Sequence, residues 1–291
     1  MRDLSTNPTR KDVSEIPCYA SAVKHFAAKP RSRALTAFIK SFHYHENDLP
    51  FTLERIMPNG QAHLMVNLAE DEFSTYSGSR AEQKHPQSGA VLAGPHAKSV
   101  VIDTRAQRWL AAVEFHSGGA RHFFSMRMSA VCNLIVQLED FWGCDGRLLR
   151  ERLLDASTPA AKFRTLEEVL SEHLAPRFDP AIQYAMAALR AGVRVSQLVS
   201  RLGLLPRTFE RRFSAQVGIN PKRFARVQRL QRVLRAVRLS SRPNWCALAA
   251  EHGYTDQAHL IHDFRDLADI TPSGYVPHSP QRNNHVPLAT P

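Results

Sequence analysis

Val195-x-x-Leu198-Val199-x-x-Leu202-Gly203, then Phe209-x-x-x-Phe213, then Gly218-x-x-Pro221, is a pattern this chain states twice. The second statement is Trp245-x-x-Leu248-Ala249-x-x-His252-Gly253, then Leu260-x-x-x-Phe264, then Asp269-x-x-Pro272. Each copy opens with an i, i+3, i+4, i+7 stripe, apolar throughout in the first and closed by His252 in the second, the mark of a short amphipathic helix. A glycine closes that helix, and after a short turn a second helix buries anchors at i and i+4. Two short helices joined this way form a helix-turn-helix, whose second helix enters the DNA major groove. Two copies with the same closing signal carry far more weight than one.

Charge supports the same reading. The chain has 291 residues, 38 Lys+Arg and 27 Asp+Glu, for a formal net charge of +11. Residues 180–291 hold 16 basic and 6 acidic side chains, and the preceding residues hold 22 and 21. An excess so localised is the footprint of a polyanionic partner, because phosphate contacts release condensed counterions.

Other classes are disfavoured. No apolar run approaches the roughly 20 residues of a membrane span. Met1 to Ser14 is polar and lacks the apolar core of a signal peptide. Cys18, Cys132, Cys144 and Cys246 form no Cys-x-x-Cys pair, which fits a reducing cytosol. A cytoplasmic location is therefore expected.

The length allows two domains. Residues 1–29 read as a polar leader. Residues 30–175 read as a β-rich, barrel-like domain with trailing helices, with strands expected around Leu64-Val66-Leu68, Val91-Leu92, Val100–Ile102 and Trp109–Phe115. Helices are expected over Ser129–Phe141, Arg147–Ala156 and Pro159–Leu174, the last opened by Thr158-Pro159. Pro176–Pro180 is the expected joint, followed by a helix to Ala191. Residues 180–276 read as an all-α domain, and 277–291, rich in Pro, Asn and His, as a disordered tail. The fold class is thus α+β.

A linker helix joins the repeats from Pro221 to near Leu239, with a Val227, Leu230, Leu234, Val237 stripe. Its length is about 27 Å, against about 34 Å between successive major-groove faces on one side of B-DNA. It carries Arg223, Arg226, Arg229, Arg232, Arg235 and Arg238. Spacing by three winds them round the helix, so most are expected to be solvated or paired, with a minority touching phosphate.

Residues 180–276 resemble the AraC/XylS family of transcription regulators. The resemblance rests on Leu205-Pro-Arg-Thr-Phe-Glu-Arg-Arg-Phe213 with Gly218-Ile-Asn-Pro-Lys222, and on Gly253-Tyr-Thr-Asp-Gln-Ala-His-Leu-Ile-His-Asp-Phe264 with Thr271-Pro272. Residues 30–175 also resemble the β-rich sensor region of one subgroup, through Met57-Pro-Asn-Gly60, Ala93-Gly-Pro95 and Glu114–Ala120. The resemblance implies a transcription factor that binds double-stranded DNA. It also implies RNA polymerase, a small-molecule effector and a second copy of the chain as further partners. Three departures stand out. Leu205 replaces a usual Ser cap, a bond worth about 1 kcal/mol. His262 replaces a common Arg, and Asp269 stands where a Gly is usual.

Within the repeats, Phe209, Phe213, Leu260 and Phe264 are expected in the core. The outward, DNA-facing positions are Arg207, Thr208, Glu210 and Arg211 in the first reading helix, and Gln257, His259, Ile261 and His262 in the second. Arg and Gln match guanine and adenine edges through paired hydrogen bonds. In the β-rich region, His63, Trp109 and Glu114 are candidate ligand-binding residues on strands expected to face an interior.

Enzymatic machinery is not expected, and neither is a cofactor. His43-Tyr44-His45-Glu46 places two imidazoles on one strand face, as a metal would need. Cupin-type sites add a carboxylate four or five residues beyond the second His, where this chain has Leu49 and Pro50. No metal site is therefore assigned. Ser117-Gly118-Gly119 is no nucleophile elbow. The alternative is a metal-dependent or hydrolytic enzyme with a basic localising tail.

Overall fold

The computed structural model describes residues 14–15, 24–46, 49–78, 81–237, 243–279 and 282–288. Twelve described strands form two antiparallel sheets. They are β1 (Ser14–Glu15), β2 (Lys24–Ala28), β3 (Ile39–Glu46), β4 (Leu53–Ile56), β5 (His63–Asn67), β6 (Glu72–Ser77), β7 (Gln83–Ser88), β8 (Ala90–Ala93), β9 (Val100–Asp103), β10 (Trp109–Phe115), β11 (Ile135–Gln137) and β12 (His285–Pro287). One sheet runs β1-β2-β3-β10-β5-β8-β11 and the other β12-β4-β9-β6-β7, and they do not join into a closed barrel.

Alternation along the strands gives the larger sheet two different faces. Phe42, Tyr44, Leu64, Val66, Ala111 and Val113 point one way and bury against helices. Those helices are α1 (Arg33–Thr36), α2 (Glu139–Trp142), α3 (Cys144–Asp155) and α4 (Pro159–Glu172). On the opposite face Met65, Val91, Leu110 and Ala112 pack with Phe73 of β6 and Ala106, which draws the two sheets together.

The rest of the chain is helical: α5 (Pro180–Arg190), α6 (Val195–Leu202), α7 (Pro206–Val217), α8 (Pro221–Val237), α9 (Trp245–Glu251) and α10 (Gln257–Ala268). The linker helix α8 is the hub and touches α5, α6, α7, α9 and α10. Phe224, Val227, Leu230, Val233, Leu234 and Val237 along it are buried. The end of the linker expected near Leu239, with Arg238, lies outside the described residues, as do residues 1–13 of the leader and Cys18.

Two expectations need correcting. Ser129–Phe141 is not one helix: a 3-10 turn over Met128–Val131 gives way to β11 and then α2. Asn133 takes φ +57 there, which interrupts a right-handed helix. Its Oδ1 accepts the backbone N–H groups of Ala97 and Lys98, fixing the break. The expected disordered tail also carries structure, since His285–Pro287 pairs with β4. Val286 is buried there, and His285 lies 3.1 Å from the carboxylate of buried Glu54. An apolar seat and a partner for a buried charge outweigh the loop-like composition.

The β-rich and helical regions share a packed interface. Met57 and Ala97 lie in the same core cluster as the α5–α10 residues. Gln228 and Gln231 of α8 donate to the carbonyls of Asn59 and Pro58, at 3.0 and 2.9 Å. Arg223 donates to the Ala97 carbonyl, and Gln216 of α7 to that of Gly118. Gly218 ends α7 at φ +89, and a Cβ there would stand 2.7 Å from Pro95 Cγ and 3.0 Å from the Met128 carbonyl oxygen. Gly218→Ala therefore adds strain at a left-handed position to an overlap with the other region. It should destabilise the chain by about 1–3 kcal/mol, read as a lower urea midpoint.

Candidate nucleic-acid interface

The first reading unit is α6 and α7. Gly203 stops α6 in the left-handed conformation, φ +60. Leu205 occupies the N-cap of α7 in extended geometry with no side-chain cap bond, and Pro206 sits at the first helical position. Proline offsets part of the missing cap because its φ already suits a helix start. Phe209 and Phe213 are buried, and Phe213 meets Phe224 of α8 edge-on at 5.5 Å. With one side so anchored, Arg207, Glu210 and Arg211 are exposed and Thr208 is half-buried. Arg212, beside them in sequence, turns away and forms a two-pronged pair with Asp179 at 2.7 and 2.8 Å. Asp179 also caps α5, so this ion pair ties the first reading helix to its neighbour.

The second unit, α9 and α10, is better capped. Asn244 accepts the N–H of Ala247, and Asp256 accepts that of His259. Leu260 and Phe264 are buried, and Trp245 packs edge-on against Phe264 at 5.6 Å. Gln257 and His262 are exposed, while His259 and Ile261 are half-buried. His259 is drawn inward: one ring nitrogen lies 2.8 Å from Thr255 Oγ1 and the other 3.1 Å from Arg229 Nη2. Arg265, which the sequence reading passed over, is exposed one turn beyond Ile261 and His262. Spacing by three and four from those residues was the available signal.

Asp269 closes α10 as Gly218 closes α7, in the left-handed region at φ +53. That conformation is disfavoured for a residue with a Cβ. Its carboxylate accepts from Ser99 Oγ at 3.3 Å and Arg55 Nη1 at 3.4 Å. An aspartate here thus holds a contact with the β-rich region that glycine could not make.

The linker arginines lock α10 in place. Arg226 donates twice to Asp263 Oδ1, at 2.9 and 2.8 Å, and Arg229 once to Oδ2 at 2.8 Å. Asp263 is 1% exposed. Arg223 and Arg226 both pair with Asp266. Burial alone would raise the Asp266 carboxyl, but the two guanidinium groups hold it below its ordinary value. Arg229 also lies over the ring of buried Tyr254, 4.2 Å from its centroid. Arg232 donates to the Arg190 carbonyl, and Arg235 is exposed.

In the β-rich region, Glu114 and His63 are directly opposed on β10 and β5. Burial pushes the Glu114 carboxyl up, but His43, His63 and Lys40 together hold it well below the usual carboxylate range. Burial lowers His63 to about 4, partly opposed by Glu114. Trp109 does not join them. It stands at the far end of β10, five residues from Glu114 and so on the other face, and is 49% exposed.

Two short helices per unit, anchored from behind and presenting a polar outer face, have the arrangement of a helix-turn-helix domain. Residues 198–277 match the family model described as "Helix-turn-helix domain", and residues 28–137 match "Domain of unknown function (DUF6597)". No curated protein matches the chain. Among solved structures, it is similar to ToxT from Vibrio cholerae O395 at 8% identity, covering 77% of this chain and 92% of that one, with a TM-score of 0.41. The wild-type ToxT of strain SCE256 bound to an unsaturated fatty acid aligns at 8% identity over 77% and 90% of the two chains, TM-score 0.40.

Asp263→Ala would leave Arg229 without its carboxylate and Arg226 with Asp266 alone, and removing one partner of a buried pair costs about 3–5 kcal/mol. Chemical denaturation should show a loss of that size. A second expectation concerns pH. His63 is neutral in the folded chain down to about 4, whereas its ordinary value is 6.5. The unfolded chain therefore binds the extra proton first, so stability is complete above about 6.5 and falls as pH drops toward 4. His63→Gln should flatten part of that slope in urea midpoints measured from pH 7 to 4.

Proposed function

We propose that this chain is a sequence-specific transcription regulator that reads two neighbouring major-groove faces with α7 and α10. The observation that carries this is the pair of reading helices, each with an exposed polar face, fixed to one linker helix. At 17 residues α8 spans about 25 Å, which suits faces about 34 Å apart once the reading helices project from it. The units proposed are residues 30–175 for sensing or dimerisation and 180–276 for DNA.

Control would come from the β-rich region. His63 and Glu114, the candidate ligand contacts, lie three residues from Gly60 and four from Gly118. The 57–60 and 114–120 segments are the ones whose carbonyls receive the glutamines of α8 and α7. A small molecule held by His63 and Glu114 would thus act next to the surface that seats the reading helices. Pairing with a second copy and contact with RNA polymerase are the further steps that would turn occupancy into altered transcription. An enzyme with a basic tail would leave two matched reading helices without a use.

The two units should divide the work. Arg207 and Arg211 are one turn apart on the exposed face of α7, and each suits a guanine edge worth about 1–3 kcal/mol of discrimination. On α10 His259 is engaged internally, which leaves Gln257, His262 and half-buried Ile261 to face DNA, joined by Arg265 further along. In a selection from random duplexes, Arg207→Ala and Arg211→Ala should each relax base preference in one half of the motif. His262→Ala should weaken binding mildly and evenly. If both arginine variants select the wild-type motif while Gln257→Ala or His262→Ala erases half of it, this division is wrong. The absence of any preference over bulk DNA would end the reading itself.

A further inference from the structure

We propose that His25, His43 and His45 form a three-imidazole site for a divalent transition-metal ion. The strand register builds it. His25 on β2 lies directly opposite His45 on β3, and Ala27 lies opposite His43. Period-two alternation puts His43 and His45 on one face of β3. The three rings are nearly parallel, with centroids 4.0 Å apart for His25–His45 and 5.2 Å for His25–His43. One ligand nitrogen from each falls within 4.8 Å of the others, and His25 Nε2 stands 2.9 Å from His43 Nδ1. A tetrahedral ion about 2.0–2.1 Å from each nitrogen sets the nitrogens about 3.3 Å apart. The stacked rings would have to turn about their side-chain bonds to aim all three lone pairs at one ion.

The surroundings favour the metal-binding form. With Nδ1 of His43 directed at His25, its Nε2 lies 2.7 Å from Ser41 Oγ and 3.6 Å from Glu114 Oε2. A carboxylate and a hydroxyl on the far nitrogen orient the ring and leave the near lone pair for an ion. Lys40 holds that carboxylate at 2.8 Å. Metal binding needs neutral imidazoles. Burial brings His25 down to about 4 and holds His45 well below its ordinary value, and Arg282 and His285 add to both shifts. Both shifts favour the neutral imidazole.

Three neutral nitrogen donors, with no carboxylate among them, select zinc, nickel, cobalt or copper over calcium or magnesium. Three ligands also leave a fourth position open. The carboxylate missing at Leu49 and Pro50 is thus replaced from elsewhere in the sheet. The third imidazole comes across from β2, and the supporting acid comes from Glu114 on β10.

The full chain, stripped with a chelator, would be titrated with Co(II), followed by visible ligand-field absorption, and then competed with Zn(II). One equivalent should bind in low-coordinate geometry. Glu114→Gln should lower affinity by about 10–100-fold, and His25→Gln or His45→Gln by more, with His85→Ala unchanged. Should the histidine variants fail to fold, carbethoxylation of the wild-type chain mapped by mass spectrometry gives a second measurement. Zn(II) should then protect His25, His43 and His45. The proposal is overturned if Co(II) gives no such absorption, if a folded His25→Gln/His45→Gln variant keeps the equivalent, or if Zn(II) leaves the three rings reactive. The titration reads the ion directly, so it stands apart from any result on DNA.

Discussion

Asp263 is the point from which the helical half of this protein is organised. A carboxylate 1% exposed has lost its water and needs donors from the protein, and Arg226 and Arg229 supply them from the linker helix. Because both guanidinium groups belong to α8, satisfying that one charge fixes how α10 rotates about its axis and where it lies along α8. Phe264, the next residue, is then seated in the core, and Gln257 and His262 are turned outward. Asp266, one turn on, engages Arg223 and Arg226 and repeats the constraint. The first reading helix has a different lock, with Arg212 reaching Asp179 on α5. One unit is therefore held by an enclosed network and the other by a half-exposed pair.

How far the sequence could be read follows from which forces leave a periodic trace. Burial at helical spacing did: Phe209, Phe213, Leu260 and Phe264 are core residues, and α4, α5, α6, α7, α9 and α10 lie close to where stripes and caps put them. Polar strands left none, so β6 and β7, with sequences Glu-Phe-Ser-Thr-Tyr-Ser and Gln-Lys-His-Pro-Gln-Ser, were not foreseen. A single left-handed residue, Asn133, undid an apolar stretch that reads as helix. His259 faces inward because Arg229 and Thr255 engage it, which no spacing within α10 would reveal. Trp109 fails to meet Glu114 because the two stand five positions apart on a strand, an odd spacing that turns them to opposite faces. That parity was legible from the start.

The contact between the two regions is more polar than the core around it. Backbone carbonyls of Pro58, Asn59, Ala97 and Gly118 receive side-chain donors from α7 and α8. Such bonds are directional and contribute only about 0.5–1.5 kcal/mol each. They specify one docked arrangement while leaving the energy of exchanging it for another modest. The three short segments that resemble a sensor region, 57–60, 93–95 and 114–120, all contribute to this surface.

Strand β12 gives that arrangement a topological character. The chain leaves the β-rich region once, between α4 and α5, and after α10 it returns to lie against β4. The helical half is thus a loop thrown out from the sheets and tied back to them at both ends. A body tethered at two separated points cannot swing freely about a single joint. Any rearrangement of α7 and α10 relative to the sheets has to be accommodated at both crossings as long as β12 stays paired.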